Sequence, residues 1–131
     1  MAKPLAGLKV IELANFIAGP LCGTLLADMG ADVIKVEPPN GDMARATPPI
    51  RNGESVSFVA LNRNKRSLVL DLKRPEAAEI LLMLAAQSDA FIEGLSSGCA
   101  ETSLGSAGVS HIPWPTSEML IPDPNRKRNG K

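Results

Sequence analysis

Hydrophobic positions along the chain fall into short dense runs with two different rhythms. Lys9-Val10-Ile11-Glu12-Leu13 is an apolar, β-branched run of the kind that forms a buried strand. A loop of small and apolar residues, Ala14 to Gly19, leads to Pro20, which suits the first position of a helix because its missing N–H would be unpaired there. Leu21, Leu25, Leu26 and Met29 then recur at helical spacing, and Gly30 is placed to close the helix in a left-handed conformation. Asp32-Val33-Ile34-Lys35-Val36-Glu37 predicts a second strand, stopped by Pro38-Pro39. Strand, helix and strand within about 30 residues predict a βαβ unit with a parallel pair and a right-handed crossover.

A loop rich in Pro, Gly, Arg and Asn follows from Asn40 to about Ser55, and Val56 to Leu61 fits a helix or a strand equally well. After the basic turn Asn62-Arg63-Asn64-Lys65-Arg66, the run Ser67-Leu68-Val69-Leu70-Asp71-Leu72 predicts a third strand. Pro75 opens a helix with Ala78, Leu81, Leu82 and Ala85 on one face, ended by Ser88-Asp89, and Ala90-Phe91-Ile92-Glu93 begins a fourth strand. The expected fold is α/β and Rossmann-like, a mostly parallel sheet with flanking helices over residues 1–93. With so few helices one sheet face is expected to be bare, which would favour aggregation or pairing with another chain. From Gly94 both periods vanish and prolines fall at 113, 115, 122 and 124, so residues 94–131 are expected to be an irregular, disordered or weakly ordered tail.

Composition narrows the function classes. The chain has 131 residues, 44% hydrophobic and 21% charged, which is globular. Lys+Arg and Asp+Glu number 14 each, leaving no basic field for nucleic acid, and 3% aromatics leave few rings for base stacking. Two cysteines, Cys22 and Cys99, and one histidine supply neither a disulfide framework nor a four-ligand zinc site. Lys9 and Glu12 interrupt the first apolar stretch, so it is not read as a signal peptide, and no window reaches the ~20 apolar residues of a membrane span. The expectation is a soluble, cytoplasmic protein with no nucleic-acid or membrane partner.

Candidate chemistry is sparse. Ala18-Gly19-Pro20-Leu21-Cys22-Gly23, between a strand and a helix, could present N–H groups to an anion, and Glu37 stands where a dinucleotide-binding protein keeps its ribose acid. The glycine fingerprint of such proteins is missing, and the plainer alternative is a tight turn with a surface Glu. Arg63, Lys65 and Arg66, with Lys73 and Arg74, could grip phosphate, although a solvated face is the plainer reading. Asp28, Asp32, Glu37, Asp42, Asp71 and Asp89 are scattered, with no pair fixed on one helical face. Cys22 in a first helical turn reads as a small apolar side chain before a reactive thiol, and His111 as a non-catalytic residue of the tail.

Together, residues 4–13 (P-L-A-G-L-K-V-I-E-L), Ala18-Gly19-Pro20, residues 26–39 (L-A-D-M-G-A-D-V-I-K-V-E-P-P), Gly41-Asp42, residues 62–73 (N-R-N-K-R-S-L-V-L-D-L-K) and residues 88–93 (S-D-A-F-I-E) resemble the start of family III CoA-transferases. That family includes carnitine and bile-acid CoA-transferases, formyl-CoA transferases and α-methylacyl-CoA racemases. The resemblance implies CoA transfer between an acyl-CoA donor and a carboxylic acid, with CoA or acyl-CoA as substrate, no permanently bound cofactor, no metal, and an interlocked homodimer in full-length relatives. By the same resemblance CoA would be met by Phe16, Ile17 and Ala18 after the first strand and by Leu70, Asp71, Leu72 and Lys73 at the end of the third. An Arg often follows the Glu of the second strand in the family; here Pro38 stands in its place.

The family's transferase chemistry uses an Asp whose carboxylate attacks the thioester, giving a mixed anhydride and then an enzyme-bound CoA thioester, whereas its racemases exchange the α-proton with a His/Asp pair. Neither set has a counterpart in residues 1–93, so no catalytic residue is assigned and Asp71 and His111 are not substitutes. The text after Glu93 departs from the family, which suggests a truncated or frameshifted chain, catalytically incomplete. The alternatives are a non-catalytic CoA-binding remnant and a small dinucleotide-binding module.

Overall fold

The computed structural model describes residues 2–94. Gly94, expected to open the tail, instead closes the last strand, and Cys99, His111 and the rest of that expected tail lie outside the described residues. Four strands, β1 (Lys9–Ala14), β2 (Asp32–Glu37), β5 (Arg66–Val69) and β6 (Ala90–Gly94), form a parallel sheet in the order β5-β2-β1-β6. A two-residue hairpin, β3 (Ile50–Arg51) with β4 (Glu54–Ser55), stands apart from that sheet.

Helix α1 (Ala18–Asp28) joins β1 to β2, while α3 (Pro75–Ala86) carries the chain from β5 past two strands to β6. These connections run in opposite directions from the sheet centre, so right-handed crossovers put the two helices on opposite faces. The core divides accordingly. Val10, Ala14, Val33 and Ile92 pack with Ala27 on the α1 face, while Ile11, Leu13, Val36 and Leu70 pack with Ala77 and Leu81 on the α3 face. The bare sheet face expected from the sequence is therefore not what is seen. Among the exposed apolar side chains, Ile17, Leu21, Leu25 and Met29 recur every four residues along the outside of α1 and its two flanking residues and are 41–63% exposed.

Local differences from the sequence reading have simple causes. Helix α1 begins at Ala18, so Pro20 is its third residue, still in the turn whose N–H groups have no helical partner. Gly30 adopts φ +105° just beyond the helix, as a left-handed cap requires. The ambiguous run is helical: α2 (Val56–Asn62) starts because the Ser55 hydroxyl accepts the Phe58 amide at 3.2 Å. Strand β5 ends at Val69, earlier than the apolar run suggests. Leu70 N–H makes a last bond to the Glu37 carbonyl at 2.9 Å, after which Asp71 turns the chain by accepting the Lys73 amide on its side chain and the Arg74 amide on its carbonyl.

Candidate functional site

Parallel α/β sheets offer ligands a crevice at the carboxyl ends of their strands, because side chains and loops there diverge while the helices pack alongside. A cleft of about 230 Å³ opens at that end of this sheet. Leu13, Ala14 and Asn15 come from the end of β1, Val36, Glu37 and Pro38 from the end of β2, and Leu70 to Lys73 from the segment after β5. Its walls are largely apolar, with Asn15, Glu37, Asp71 and Lys73 as polar members. Lys73 is exposed and has no ion pair among the described residues, whereas Arg74 approaches Glu76 at 3.9 Å.

Four of the residues singled out in the sequence, Leu70, Asp71, Leu72 and Lys73, thus stand together on the cleft. Phe16, Ile17 and Ala18 do not line it; they follow Asn15 into the start of α1. Phe16 has φ 65°, sparsely populated for a bulky residue, and both Phe16 and Ile17 are exposed.

A buried set of charges joins Lys65 and Asp42, both noted in the sequence, to Glu12 and Lys35, a grouping the sequence reading does not contain. Lys35 Nζ donates to Glu12 Oε1 at 3.0 Å and to the Ala14 carbonyl at 2.8 Å, and forms an ion pair with Asp42 Oδ2 at 2.8 Å. Lys65 Nζ spends its three protons on the Pro20 and Leu61 carbonyls and Asn62 Oδ1, and lies 2.7 Å from Glu12 Oε2. That last contact and the Lys35–Asp42 contact are ion pairs without hydrogen-bond alignment. Burial pushes the Lys65 ammonium below its ordinary pKa, against the opposing pull of Glu12. Two cations therefore face two carboxylates, and the buried charge balances.

Glu37 extends the set to the cleft wall. Arg45, from the 3₁₀ turn Met43–Ala46, grips it with Nε at 2.7 Å and Nη2 at 2.8 Å, Ser67 Oγ donates at 2.7 Å, and the Asp42 amide at 3.0 Å. The Arg45 guanidinium in turn stacks over the Phe58 ring at 4.0 Å. Glu37 is thus buried and engaged at both oxygens, not the surface residue of the plainer reading, and no oxygen is spare for a ribose.

The Arg45 guanidinium, helped by Ser67 and the Asp42 amide and opposed by burial, holds the Glu37 carboxyl down at about 2. A depressed carboxyl stabilises the fold above its unfolded value and loses that contribution as pH falls through the folded one. Stability should therefore fall between about pH 4.5 and pH 2. Urea midpoints measured down that range check this, and Glu37→Gln should flatten that part of the profile.

The basic turn is also largely neutralised from within. Arg63 pairs with Asp28, and Arg66 holds Asp32 through Nε at 2.9 Å and Nη2 at 2.7 Å. Arg63 beside Asp28 holds that half-buried carboxyl below its usual range. Of the five cations proposed for phosphate, only Lys73 lines the cleft. Of the carboxylates scattered in sequence, Asp42 and Glu37 come together, and Asp42 shares Lys35 with Glu12, while Asp28 and Asp32 pair with separate arginines. Cys22 is half-buried against the α1-face core.

Comparison with known proteins decides the family. The model of CoA-transferase family III matches residues 5–112, most of the chain and past Glu93. The chain belongs to CoA-transferase family III. It is 51% identical over 98 residues to succinate–glutarate CoA-transferase of Agrobacterium fabrum, covering 69% of this chain and 24% of that one. It is 44% identical over 99 residues to succinyl-CoA:mesaconate CoA-transferase of Haloarcula hispanica, covering 72% and 25%. Among solved structures, a CaiB/BaiF family protein from Brucella suis superposes with a TM-score of 0.72 at 40% identity, covering 82% of this chain and 31% of that one. The chain therefore spans about a quarter of the length of the curated relatives it matches. Among the described residues, no group of acidic, His or Cys side chains could hold a metal ion and no helix is long and apolar enough to cross a membrane.

Proposed function

We propose that residues 1–93 of this family III CoA-transferase chain form the CoA-holding part of an acyl-CoA:carboxylate CoA-transferase. The family match carries the proposal, and the cleft at the strand ends, where Leu70 to Lys73 stand, supports it. Lys73 is the residue suited to a CoA phosphate, because its charge is not spent within the described residues. Apolar walls from Val36, Pro38 and Leu72 suit the flat or alkyl parts of the molecule. Phe16, Ile17 and Ala18 would add main-chain contacts at the mouth of α1.

Transfer is proposed over racemisation because the relatives are named for it, with succinyl-CoA or formyl-CoA as donor and glutarate, mesaconate or oxalate as acceptor. The homodimer implied for full-length relatives belongs to the same proposal. Positioning without a nucleophile gives no thioester exchange. No described residue is assigned the nucleophile's part, so the described portion alone is proposed to bind CoA without turning it over.

Thermal unfolding in the presence of CoA or NAD tests this. CoA should raise Tm and NAD should not, since a ligand of the native state stabilises by mass action, about 2.7 kcal/mol at a hundredfold excess over Kd. Lys73→Met should weaken CoA binding roughly fivefold at low salt, an effect that shrinks as salt is added. Equal shifts with both ligands, or none with CoA, would reject the proposal.

A further inference from the structure

We propose that Glu37 and Arg45 are positioning residues for the cleft, setting the end of β2 and the loop to Asp42 against β5 so that the wall a ligand meets keeps one shape. The proposal rests on the reading that this cleft takes CoA. Glu37 lines the cleft, yet its side chain is buried and its two carboxylate oxygens receive four hydrogen bonds, from the 3₁₀ turn, from β5 and from the loop. A carboxylate so occupied has nothing to offer a ligand and can act only through its neighbours.

Its main chain has the same effect, since the Glu37 carbonyl accepts the Leu70 amide at 2.9 Å, at the first of the four cleft residues beyond β5. Arg45 brings a planar fork that fits the carboxylate in one orientation, and Phe58 backs the guanidinium from α2. Asp42 N–H on Glu37 and Asp42 Oδ2 on Lys35 continue the chain of charges through Glu12 to Lys65. Ends of β1, β2 and β5 are thereby tied to one buried lattice of fixed geometry. Apolar packing could stabilise such a site as well, but it would not select one orientation of the wall.

Calorimetric titration with CoA at pH 7, well below the unfolding temperature, tests the assignment on the full chain. Glu37→Gln and Arg45→Met should each weaken CoA about tenfold, and the double variant should be no weaker than the worse single one, because each residue acts through the other. Additive losses would mean that Arg45 touches the ligand itself, and unchanged affinity in either folded single variant would mean that the pair does not shape the cleft. Either result overturns the proposal.

Amide hydrogen exchange supplies an arm without ligand. Glu37→Gln should speed exchange at Asp42 and Leu70 while Val10 to Leu13 stay protected, and unaltered rates at Asp42 and Leu70 would overturn the proposal. If the unmodified chain fails to bind CoA, the functional reading falls and the exchange result alone decides the positioning role.

Discussion

Lys35→Met is expected to lower folding stability by about 3–5 kcal/mol, because removing one member of a buried charge set strands the others. Methionine matches the lysine stem in length and leaves little cavity, so the loss isolates the charge. Lys35 is 2% exposed and serves Glu12, Asp42 and the Ala14 carbonyl at once. Without it, two buried carboxylates share Lys65 alone. The size matters because a domain of this kind has only about 5–15 kcal/mol in total. Urea unfolding should show a lower midpoint at unchanged slope. Adding Glu12→Gln should recover part of the loss, since Asp42 and Lys65 then balance. A drop below about 1 kcal/mol would place the set in an environment that screens like water.

Gly23→Ala sets two known effects against each other. Alanine is favoured over glycine inside a helix by about 1 kcal/mol. At Gly23, however, a Cβ would stand 1.9 Å from Glu12 Oε2 and 3.2 Å from Lys65 Cε. The carboxylate cannot swing aside without leaving Lys35 and Lys65, so crowding should win and the variant should lose about 2–3 kcal/mol net. Thermal or urea unfolding gives the sign directly. A stabilised variant would mean that Glu12 has room to move and that the helix does not lean on the buried charges.

Much of the fold is legible in the residues. Val10, Ile11 and Leu13, Val33, Ile34 and Val36, and the helical spacing of Leu21, Leu25 and Met29 identify three elements by period alone. Period does not give exposure. Ile17, Leu21, Leu25 and Met29 form an apolar stripe, yet it points outward, and α1 packs inward through Pro20, Gly23, Thr24 and Ala27. Small residues let the helix approach the sheet closely: a Cβ on Gly19 would lie 2.3 Å from the Ala14 Cβ. Hydrophobicity ranks the large side chains first, whereas close packing here selects the small ones.

The candidate site was legible only where it is contiguous. Leu70 to Lys73 reach the cleft as one stretch, the one the family resemblance singles out, but Asn15, Val36 and Pro38 reach it because three strand ends meet. Glu12 and Lys35 looked like ordinary interruptions of apolar runs. The available signal was register: in a parallel β1–β2 pair they are direct neighbours, as Val10 and Val33 are. A charge in the middle of each of two adjacent buried strands is a paired charge waiting for its partner.

By itself the sequence determined the strands of the sheet, the two longer helices, the parallel α/β class and the family, because these follow from local period and from motifs that lie in order along the chain. Tertiary structure alone decided which helix face is inward, that Glu37 is engaged at both oxygens, and that Lys35 and Lys65 are interior cations. Those outcomes depend on distances between residues up to 53 positions apart, such as Glu12 and Lys65. Desolvation and pairing are set by such distances, and the order of residues along one segment does not contain them.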